Sequence, residues 1–466
     1  MRYLPSASAF HYPITEDPVP TSLDCTLLGD FFGTPAMRAV FDSRALLQSW
    51  LDAEVALAEA DAECGVIPAA ALPAIRAAGA ADAYDLEELR AAISATQHPL
   101  VPLVRALTAA AGDAGRYVHY GATTQDIMDT GCVLQVRAGL ELLNADLLAI
   151  RSALAGLAEQ HAETPMAGRT HGQHAVPITF GLKVGVWLAE LDRDAERLQA
   201  CRPRVLVGQL AGAAGTLATL GNDAPRVRRA FCGRLGLAEP SAPWHAARDG
   251  LAELVSCLAL LAGTLERIAL EIVRLQSTEL GEAAEPLTPG HVGSSTMPQK
   301  RNPHACELAA AACKLLRGLA PVMTGCMAGA YERDMAVWAA EWMLVPQAMI
   351  LASGALAGLR PVLEELDVFP ERMRANLGLT GGGIMAEAVM MAAAPVLGRD
   401  HAHHELMRLA RLAAAEGRGL ADVAAADPDF AGALGREGNE QALDPAGYLG
   451  ESADLARAVA DASRPR

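Results

Sequence analysis

One stretch near the middle of the chain limits the folds open to it, because residues 251–279 are apolar around most of a helical circumference. A helix of this kind has to be covered on every side to be stable in water. Further long helical runs are predicted at 126–160, 177–198 and 303–319, and an earlier one at 36–64. Their number and length favour an all-α fold with a long helical bundle, to which other subunits contribute part of the cover.

The composition supports helix over sheet. Hydrophobic residues make up 52% of the chain and aromatic residues only 4%, and no series of strands is predicted. Glycine-rich and proline-containing breaks suggest three domains. They are an N-terminal helical domain with a flexible arm (1–115), a central long-helix bundle (116–365) and a C-terminal helical domain (366–466).

The charge and the cysteines indicate a class of partner and a compartment. A formal net charge of −17 argues against binding to nucleic acid or to an anionic membrane. Nine cysteines without any Cys-x-x-Cys pair are typical of reduced thiols in a cytoplasmic protein and give no metal-site spacing. The apolar run 254–265 is too short to cross a bilayer, so a buried helix is expected there.

The first of three polar stretches, RYVHYGATTQDIMDT, covers residues 116–130. It crowds polar side chains into a turn that leads to the second long helix, with Asp126 as a candidate cap: His119, Thr123, Thr124 and Gln125. Hydroxyl and backbone N–H groups at a helix N-terminus form a ready site for an anion. Capping of the helix without any ligand is the alternative interpretation.

The second polar stretch, GRTHGQHAVPITFG, covers residues 168–181 and places His171 and His174 three residues apart, beside Thr170. No carboxylate or cysteine stands at metal-ligand spacing from the two histidines, so a metal site is not expected. A histidine can donate or accept a proton near neutral pH, which makes His171 a candidate for acid–base chemistry. A purely structural histidine is the alternative.

The third polar stretch is the loop GSSTMPQKRNP, residues 293–303. Lys300, Arg301 and Asn302 form a cluster of donors suited to a carboxylate or a phosphate. Gly293 permits the hinge-like backbone angles of a loop that closes over a ligand. Asn302 is predicted as the N-cap of the following helix and Pro303 as its first residue. Three consecutive hydroxyl residues argue against the alternative of a plain solvated loop.

Together the three stretches resemble the active-site regions of the fumarase/aspartase superfamily. GSSTMPQKRNP resembles its signature loop, and HYGATTQD and GRTHGQH are similar to its other two regions. The resemblance covers nearly the whole chain from about Phe31 onward. It implies an all-α homotetramer whose active sites are each built from three subunits. It also implies a small dicarboxylate substrate, no metal and no organic cofactor.

The resemblance also implies roles for individual residues. Ser294, or alternatively Ser295, is the base that removes a proton from the carbon next to a carboxylate. Lys300 and Asn302 hold the substrate carboxylates, together with the hydroxyl groups of Thr123, Thr124 and Thr170. His171 protonates or orients a leaving nitrogen. Further residues are expected in the substrate site: His98, His119, Gln125, Gln209, Ser295 and Arg333.

The expected reaction is a β-elimination that splits a C–N bond in a substituted succinate. It releases fumarate and a small amine or nitrite, as in a nitrosuccinate lyase. Residues 207–221 and 443–450 instead resemble the 3-carboxy-cis,cis-muconate cycloisomerase branch. Bacterial members of that branch typically carry tryptophan at the position of His171, so the histidine favours elimination. Cycloisomerase activity and a non-catalytic, crystallin-like structural role are the two alternatives.

Overall fold

The computed structural model describes residues 27–287, 290, 293–294 and 296–464. Ser295 and the arm predicted at the start of the chain lie outside the described residues. Residues 27–115 form five α-helices: α1 (Pro35–Val40), α2 (Ser43–Glu63), α3 (Leu72–Ala77), α4 (Leu86–Thr96) and α5 (Val101–Ala110). The single helix expected over 36–64 is therefore wrong. The helical run is interrupted at Asp42. Its carboxylate caps α2 by accepting a hydrogen bond from the Ala45 N–H at 2.7 Å.

The described part of the central region holds the long helices and four short strands. In chain order they are α6 (Thr124–Gln160), β1 (Pro165–Thr170), β2 (Gln173–Thr179), α7 (Phe180–Val205), α8 (Ala224–Arg234), α9 (Asp249–Leu275), β3 (Ala283–Ala284), α10 (His304–Gly325), α11 (Met335–Glu364) and β4 (Asp367–Val368). The C-terminal helices are α12 (Pro370–Leu377), α13 (Ala386–Leu397), α14 (Arg399–Glu416), α15 (Leu420–Ala426), α16 (Pro428–Ala442) and α17 (Ser452–Ser463). The predicted all-α class is confirmed, and the division into three domains stays a prediction.

The main hydrophobic core lies between α6, α7, α9, α10 and α11. Helix α9 contributes a run of fully buried side chains, among them Leu258, Leu261 and Ile268, as its apolar circumference requires. Helix α11 is long and apolar enough to cross a membrane by length and composition alone. It packs instead against α6, α9 and α10 as a core helix of the bundle.

Contacts at the helix ends fix the direction of the bundle. Arg248, just before α9, and Trp338, near the start of α11, both bind Asp129 in the first turns of α6. Arg169 and Glu282, which follow α6 and α9, pair at the other end. Helices α6, α9 and α11 therefore start together at what we call the α6 end and finish together at what we call the hairpin end.

Strands β1 and β2 form an antiparallel hairpin in which Thr170 pairs with Gln173. No strand was expected here, and the helix predicted from Pro177 begins only at Phe180. The turn consists of His171 and Gly172, with φ angles of 53° and 74°. Two-residue turns with both φ angles positive match the right-handed twist of the strands, so this pair closes a tight hairpin.

Candidate active site

Thr123 begins α6 as its N-cap, and Asp126 completes a capping box with it. The sequence suggested Asp126 as the cap, but Asp126 sits one turn inside the helix and its Oδ2 accepts the Thr123 N–H at 2.9 Å. The same carboxylate also accepts the N–H groups of Ala211 and Gly212 at 3.0 and 2.9 Å. Asp126 thus anchors the loop of Gln209 against the N-terminus of α6.

His245 is a buried member of this cluster that the sequence did not indicate. Its Nε2 lies 2.7 Å from Asp126 Oδ1, and its backbone oxygen accepts a hydrogen bond from Gln125 Nε2 at 3.0 Å. The residue lies 119 positions from Asp126 in an irregular segment, where no periodic pattern marks it. It joins two segments that the fold brings to one place.

Arg333 and Gln209 lie at the same helix N-terminus, as expected for site residues. Arg333 Nε donates to Gln125 Oε1 at 2.7 Å, and its Nη2 reaches Thr123 Oγ1 at 3.5 Å. The Gln209 side chain is buried, its Oε1 accepts the Trp244 N–H at 3.3 Å, and its Nε2 has no partner among the described residues. A buried donor of this kind is costly unless water or a ligand satisfies it.

His119 and His98 stand at the edge of this cluster. His119 Nδ1 lies 2.6 Å from Oε1 of the buried Glu54 on α2. Glu54 was not among the predicted site residues. His98 Nδ1 accepts the Val101 N–H at 3.2 Å in the first turn of α5. No hydrogen bond in the described part of the chain links His98 to the other predicted site residues.

His171 and Thr170 project from the exposed tip of the hairpin, away from the α6 end. The base of the hairpin is fixed by Arg169, whose Nη1 and Nη2 donate to the two oxygens of Glu282 at 2.8 and 2.7 Å. Arg169 also contributes, after burial, to a lowering of the pKa of His174, while Glu282 acts in the opposite sense. His174 therefore favours its neutral form behind the exposed His171.

In the signature loop, Ser294 Oγ accepts hydrogen bonds from two backbone N–H groups, those of Met297 at 3.1 Å and Thr296 at 3.4 Å. Successive N–H groups that converge on one oxygen stabilise negative charge on it. The loop folds tightly here, because a Cβ added to Gly293 would stand 2.7 Å from the Lys300 backbone oxygen. Only glycine fits that close approach without a shift of the backbone.

The Lys300 side chain is exposed, and its ammonium group has no hydrogen-bond partner among the described residues. Asn302 donates its backbone N–H to Gly293 O at 3.3 Å, which closes the loop. Asn302 is not the N-cap predicted for α10, and the helix begins at His304 instead of Pro303. The first backbone N–H groups of α10 are satisfied by the carboxylate of Glu285, which accepts hydrogen bonds from the N–H of Cys306 at 2.7 Å and of Ala305 at 3.3 Å.

The hairpin and the signature loop share the hairpin end of one chain, whereas Thr123, Gln125 and Arg333 lie at the α6 end. Helix α6 connects the two groups and contains 37 residues. At a rise of about 1.5 Å per residue it separates them by roughly 55 Å. One chain therefore carries the parts of the site but does not bring all of them together.

Comparison with known proteins identifies the family. A family model described as "Lyase" matches residues 32–318, and one described as "Adenylosuccinate lyase C-terminus" matches 382–459. A 3-carboxy-cis,cis-muconate cycloisomerase of Pseudomonas aeruginosa is 44% identical over 93% of this chain and 96% of its own. The chain belongs to the fumarase/aspartase superfamily. The similarity predicted from the three polar stretches is thereby confirmed.

Two further members of the superfamily resemble the chain over most of its length. An N-acetyl-S-(2-succino)cysteine lyase of Dickeya dadantii is 38% identical over 92% of this chain and 95% of its own. The crystal structure of a 3-carboxy-cis,cis-muconate lactonizing enzyme from Pseudomonas putida superposes with a TM-score of 0.89. That enzyme is 43% identical to this chain and covers 94% of it and 98% of its own chain. The protein thus belongs to an enzyme superfamily of lyases. Cleavage of a C–N bond, with a nitrogen leaving group, stays a prediction.

A cavity of about 300 Å³ opens one helical turn below the start of α6 in this superfamily member. Its wall is mainly apolar and rich in tryptophan: Phe41, Trp50, Met128, Trp338, Trp342 and Met343. Arg248 also lines it, buried and paired with Asp129 at 2.8 Å and with Glu341 at 3.0 Å. In the part of the wall that the structure describes, Arg248 is the one cation, and it is already engaged by two carboxylates.

No group of three or more His, Cys, Asp or Glu side chains is placed to hold a metal ion within the described ranges. The predictions of no metal and no organic cofactor stay predictions. The residues that the sequence analysis did not place in the site are Glu54, His245, Glu282 and Glu285. Each is buried and acts on another segment of the chain, so no local pattern in the sequence reveals it.

Proposed function

We propose that this superfamily member moves a proton to or from a carbon next to a carboxylate while a bond at the neighbouring carbon forms or breaks. We further propose that its reaction is the lactonisation of 3-carboxy-cis,cis-muconate. The observation that carries the proton transfer is the pair of backbone N–H groups on Ser294 Oγ. The choice of substrate is supported by identities above 40% to cycloisomerases over more than nine-tenths of the chain.

In ring closure, an oxygen of one substrate carboxylate bonds to an alkene carbon. The electrons of the C=C bond move onto the adjacent carboxylate, which becomes an aci-carboxylate. The carbon between them then takes a proton from Ser294 Oγ, and the double bond is consumed. The N–H groups of Met297 and Thr296 stabilise the serine alkoxide that remains, as a preorganised oxyanion site does.

The substrate carboxylates are held by groups that donate hydrogen bonds. The N-terminus of α6 presents backbone N–H groups. Beside it lie the guanidinium of Arg333 and Gln209 Nε2, which has no partner among the described residues. Lys300 adds an exposed ammonium group on the signature loop. The protein as a whole is strongly acidic, whereas these groups are positively charged or donate hydrogen bonds. They therefore attract an anionic substrate to the place where the reaction occurs.

The roughly 55 Å between the α6 end and the hairpin end supports a site shared between subunits. We propose that a homotetramer brings the α6 end of one protomer to the hairpin tip and signature loop of others, with three protomers contributing to each site. We also propose that the enzyme is cytoplasmic and acts without metal or organic cofactor. Exposed apolar side chains on the bundle helices, such as Leu260 and Leu315, suit such an assembly.

Elimination from a substituted succinate is the second candidate, and a specific observation favours it. The cavity beside the α6 end is apolar and its arginine is already paired, so it suits an uncharged or cationic substituent better than a third carboxylate. In this reaction the Ser294 alkoxide takes the proton and the C–N bond breaks, which leaves fumarate and an amine or nitrite. His171 is then the proton donor to the leaving nitrogen, with Thr170 beside it.

The test is an assay of the purified protein with 3-carboxy-cis,cis-muconate and, separately, with a panel of amino-, alkylamino- and nitro-substituted succinates. Products are identified by mass spectrometry, and the Ser294→Ala variant purified in parallel controls for contaminating enzymes. Lactone formation that the variant lacks supports the first candidate. Fumarate from a succinate, with muconate untouched, overturns it in favour of the second. Turnover of either kind excludes a purely structural protein.

A further inference from the structure

Helix α2 buries two carboxyl groups on one face, next to His119 at the α6 end. Glu54 and Asp61 are seven residues apart, or about two helical turns, and their exposed fractions are 1% and 0%. One of their four carboxyl oxygens, Glu54 Oε1, has a partner, which is His119 Nδ1. The other three have none among the described residues. Buried carboxylates without compensation are costly, so this arrangement calls for an explanation beyond packing.

His119 is held in an unusual backbone conformation beside this pair. Its φ angle is 58°, in the left-handed region that a residue with a Cβ enters at a cost of about 1 kcal/mol or more. The residue directly precedes the loop that ends at Thr123, the N-cap of α6. With Nδ1 engaged by Glu54, Nε2 is the ring atom left for a ligand, and it has no protein partner in the described part of the chain.

Several charged groups surround the His119 ring. Burial opposes a charge on the imidazole, but the negative charge of Glu54, its hydrogen bond and the charge of Asp126 outweigh burial and raise the pKa of His119. Asp61 lies on the same helix as Glu54, His245 Nε2 pairs with Asp126, and Arg333 Nη2 reaches Thr123 Oγ1. Burial, and then the negative charge of Glu54, raise the pKa of Asp61 to about 7.

We propose that Glu54 is a positioning residue for the reaction: its buried carboxylate fixes His119 through Nδ1, so that Nε2 presents a charged N–H to a substrate carboxylate at the α6 N-terminus. The inference rests on the proposed function, since it uses the carboxylate site described there. Glu54 touches no substrate. It acts through His119, which adds a cation to a cluster whose other charged donor is Arg333.

A role limited to stability does not account for the pair. An apolar or amide side chain at position 54 fills the same volume without the cost of a buried charge, and buried ion pairs are on balance weak contributors to stability. The negative charge of Glu54 and its hydrogen bond raise the pKa of His119, and glutamine brings no such charge. A carboxylate ligand is bound more strongly by imidazolium than by neutral imidazole, because a hydrogen bond to a charged donor is stronger.

The experiment measures binding without turnover. The intact protein is titrated calorimetrically with tricarballylate, an unreactive compound with three carboxylates, between about pH 6 and pH 9. For the wild type, we expect Kd to rise as the pH increases through the pKa of His119, because the imidazolium form is lost. For Glu54→Gln we expect Kd near neutral pH to rise about tenfold or more, with the pH dependence moved to lower pH.

Two further variants separate positioning from a general loss of structure. His119→Gln removes the imidazole directly, so its Kd is expected to match that of Glu54→Gln at neutral pH and to lose the part of the pH dependence that His119 contributes. The double variant is expected to bind no more weakly than His119→Gln, because both substitutions remove one interaction. Glu63→Gln, on the exposed face of α2, is the matched control and retains wild-type binding. If Glu54→Gln does not fold, Glu54→Asp tests the positioning alone: it keeps the charge but shortens the reach to His119 Nδ1, so Kd is expected to rise while the direction of the pH dependence is kept.

A wild-type Kd and pH profile for Glu54→Gln overturns the inference, and so do effects of Glu54→Gln and His119→Gln that add in the double variant. A wild-type protein that binds no tricarballylate overturns the carboxylate site of the proposed function instead. Binding with the expected pH dependence, but without turnover of muconate or any succinate, rejects the proposed reaction and leaves the role of Glu54 in place.

Discussion

The guanidinium of Arg169 and the carboxylate of Glu282 form a two-pronged ion pair that ties the histidine-bearing hairpin to the segment before the signature loop. The Glu282 side chain is fully buried, and Asn376 donates a third hydrogen bond to the same carboxylate at 2.8 Å. The ion pair therefore holds the base of the hairpin, whose tip carries His171, next to the segment that leads into the signature loop and Ser294.

We expect Arg169→Lys to reduce kcat/KM about 10- to 100-fold, because lysine keeps the charge but not the planar fork that fixes both oxygens. The free energy of unfolding is expected to fall by about 3 kcal/mol, since a buried carboxylate loses part of its compensation. Urea unfolding and steady-state kinetics measure the two effects. Arg267→Lys, in an exposed pair with Glu190, is the control and should change stability by less than about 1 kcal/mol. Lost stability with unchanged kcat/KM in Arg169→Lys would limit the pair to a structural role.

Ser294→Ala is expected to lower kcat roughly 100-fold or more while KM changes little, because the base acts in the transition state and not in ground-state binding. Steady-state kinetics on whichever substrate the protein turns over provides the measurement. Ser277→Ala, in which the lost hydroxyl only donates to the backbone oxygen of Arg274, is the matched control. A near-normal kcat in Ser294→Ala would transfer the role of base to another residue, with Ser295 as the first to examine.

The separation of Ser294 and Arg333 at opposite ends of one protomer predicts complementation between inactive variants. Ser294→Ala and Arg333→Ala are each expected to be inactive, and to regain part of the activity when they are dissociated, mixed and reassembled. The recovery occurs because mixed tetramers contain some sites with both wild-type residues. A mixture of Ser294→Ala with Lys300→Ala, both on the same loop, is the control and should recover nothing. A monomeric mass by light scattering, together with full activity of that monomer, would contradict the shared site.

Helices α6, α7, α9 and α10 and the three polar stretches could be predicted from the sequence because each depends on local periodicity or on a contiguous motif, whereas α11 was not predicted. The capping of α10 could not. Asn302 and Pro303 are typical of a helix start, yet the helix N–H groups are satisfied by Glu285, which lies 20 residues before Ala305 and arrives through the fold. Local preference gave way to a stronger, charged acceptor that tertiary structure places there.

The partner of His119 shows the same limit over a longer range. Glu54 is separated from it by 65 positions, and on α2 it occupies a position that helical periodicity assigns to the core. A charged residue in a core position can be noted from sequence, but its partner cannot. The hairpin was missed for the opposite reason: its polar residues conceal the alternation typical of a strand, and the signal lay in the His171-Gly172 turn.

Asp61 predicts a pH dependence of stability. Its pKa rises from 3.8 to about 7 in the folded protein, so the folded state holds this proton more tightly than the unfolded chain does. The stability associated with neutral Asp61 is present at acid pH and is lost as the pH rises from about 4 to about 7. Asp61→Asn imitates the neutral form, so we expect it to stabilise the protein near pH 8 by on the order of 3 kcal/mol and to have little effect near pH 4.

The measurement for Asp61 is the midpoint of urea unfolding at several pH values for wild type and variant. Asp113→Asn, at an exposed position, serves as the control and should not alter the pH dependence. Equal pH profiles for wild type and Asp61→Asn would show that Asp61 titrates normally, with water or another group satisfying its carboxylate.

His171 separates the two candidate reactions. Ring closure of 3-carboxy-cis,cis-muconate has no leaving nitrogen to protonate, so we expect His171→Trp to keep its rate within about tenfold of the wild type. Tryptophan is chosen because bacterial cycloisomerases typically carry it at the position that corresponds to His171. Elimination of an amine needs a proton donor, and there the same variant should lose about 100-fold or more. Gln173→Ala, at the same exposed hairpin tip, is the control for effects of the turn itself.

If the protein eliminates a substituent from succinate, a series of leaving groups tests the role of His171 as the donor. Rates are measured for wild type and His171→Gln with amines of increasing basicity and with nitrite. A donor helps most where the leaving group is most basic, so the rate should depend more steeply on leaving-group pKa in the variant than in the wild type. Nitrite leaves as a stable anion and needs little protonation, so its rate should fall least. Equal slopes for the two proteins would mean that His171 orients the substrate without transferring a proton.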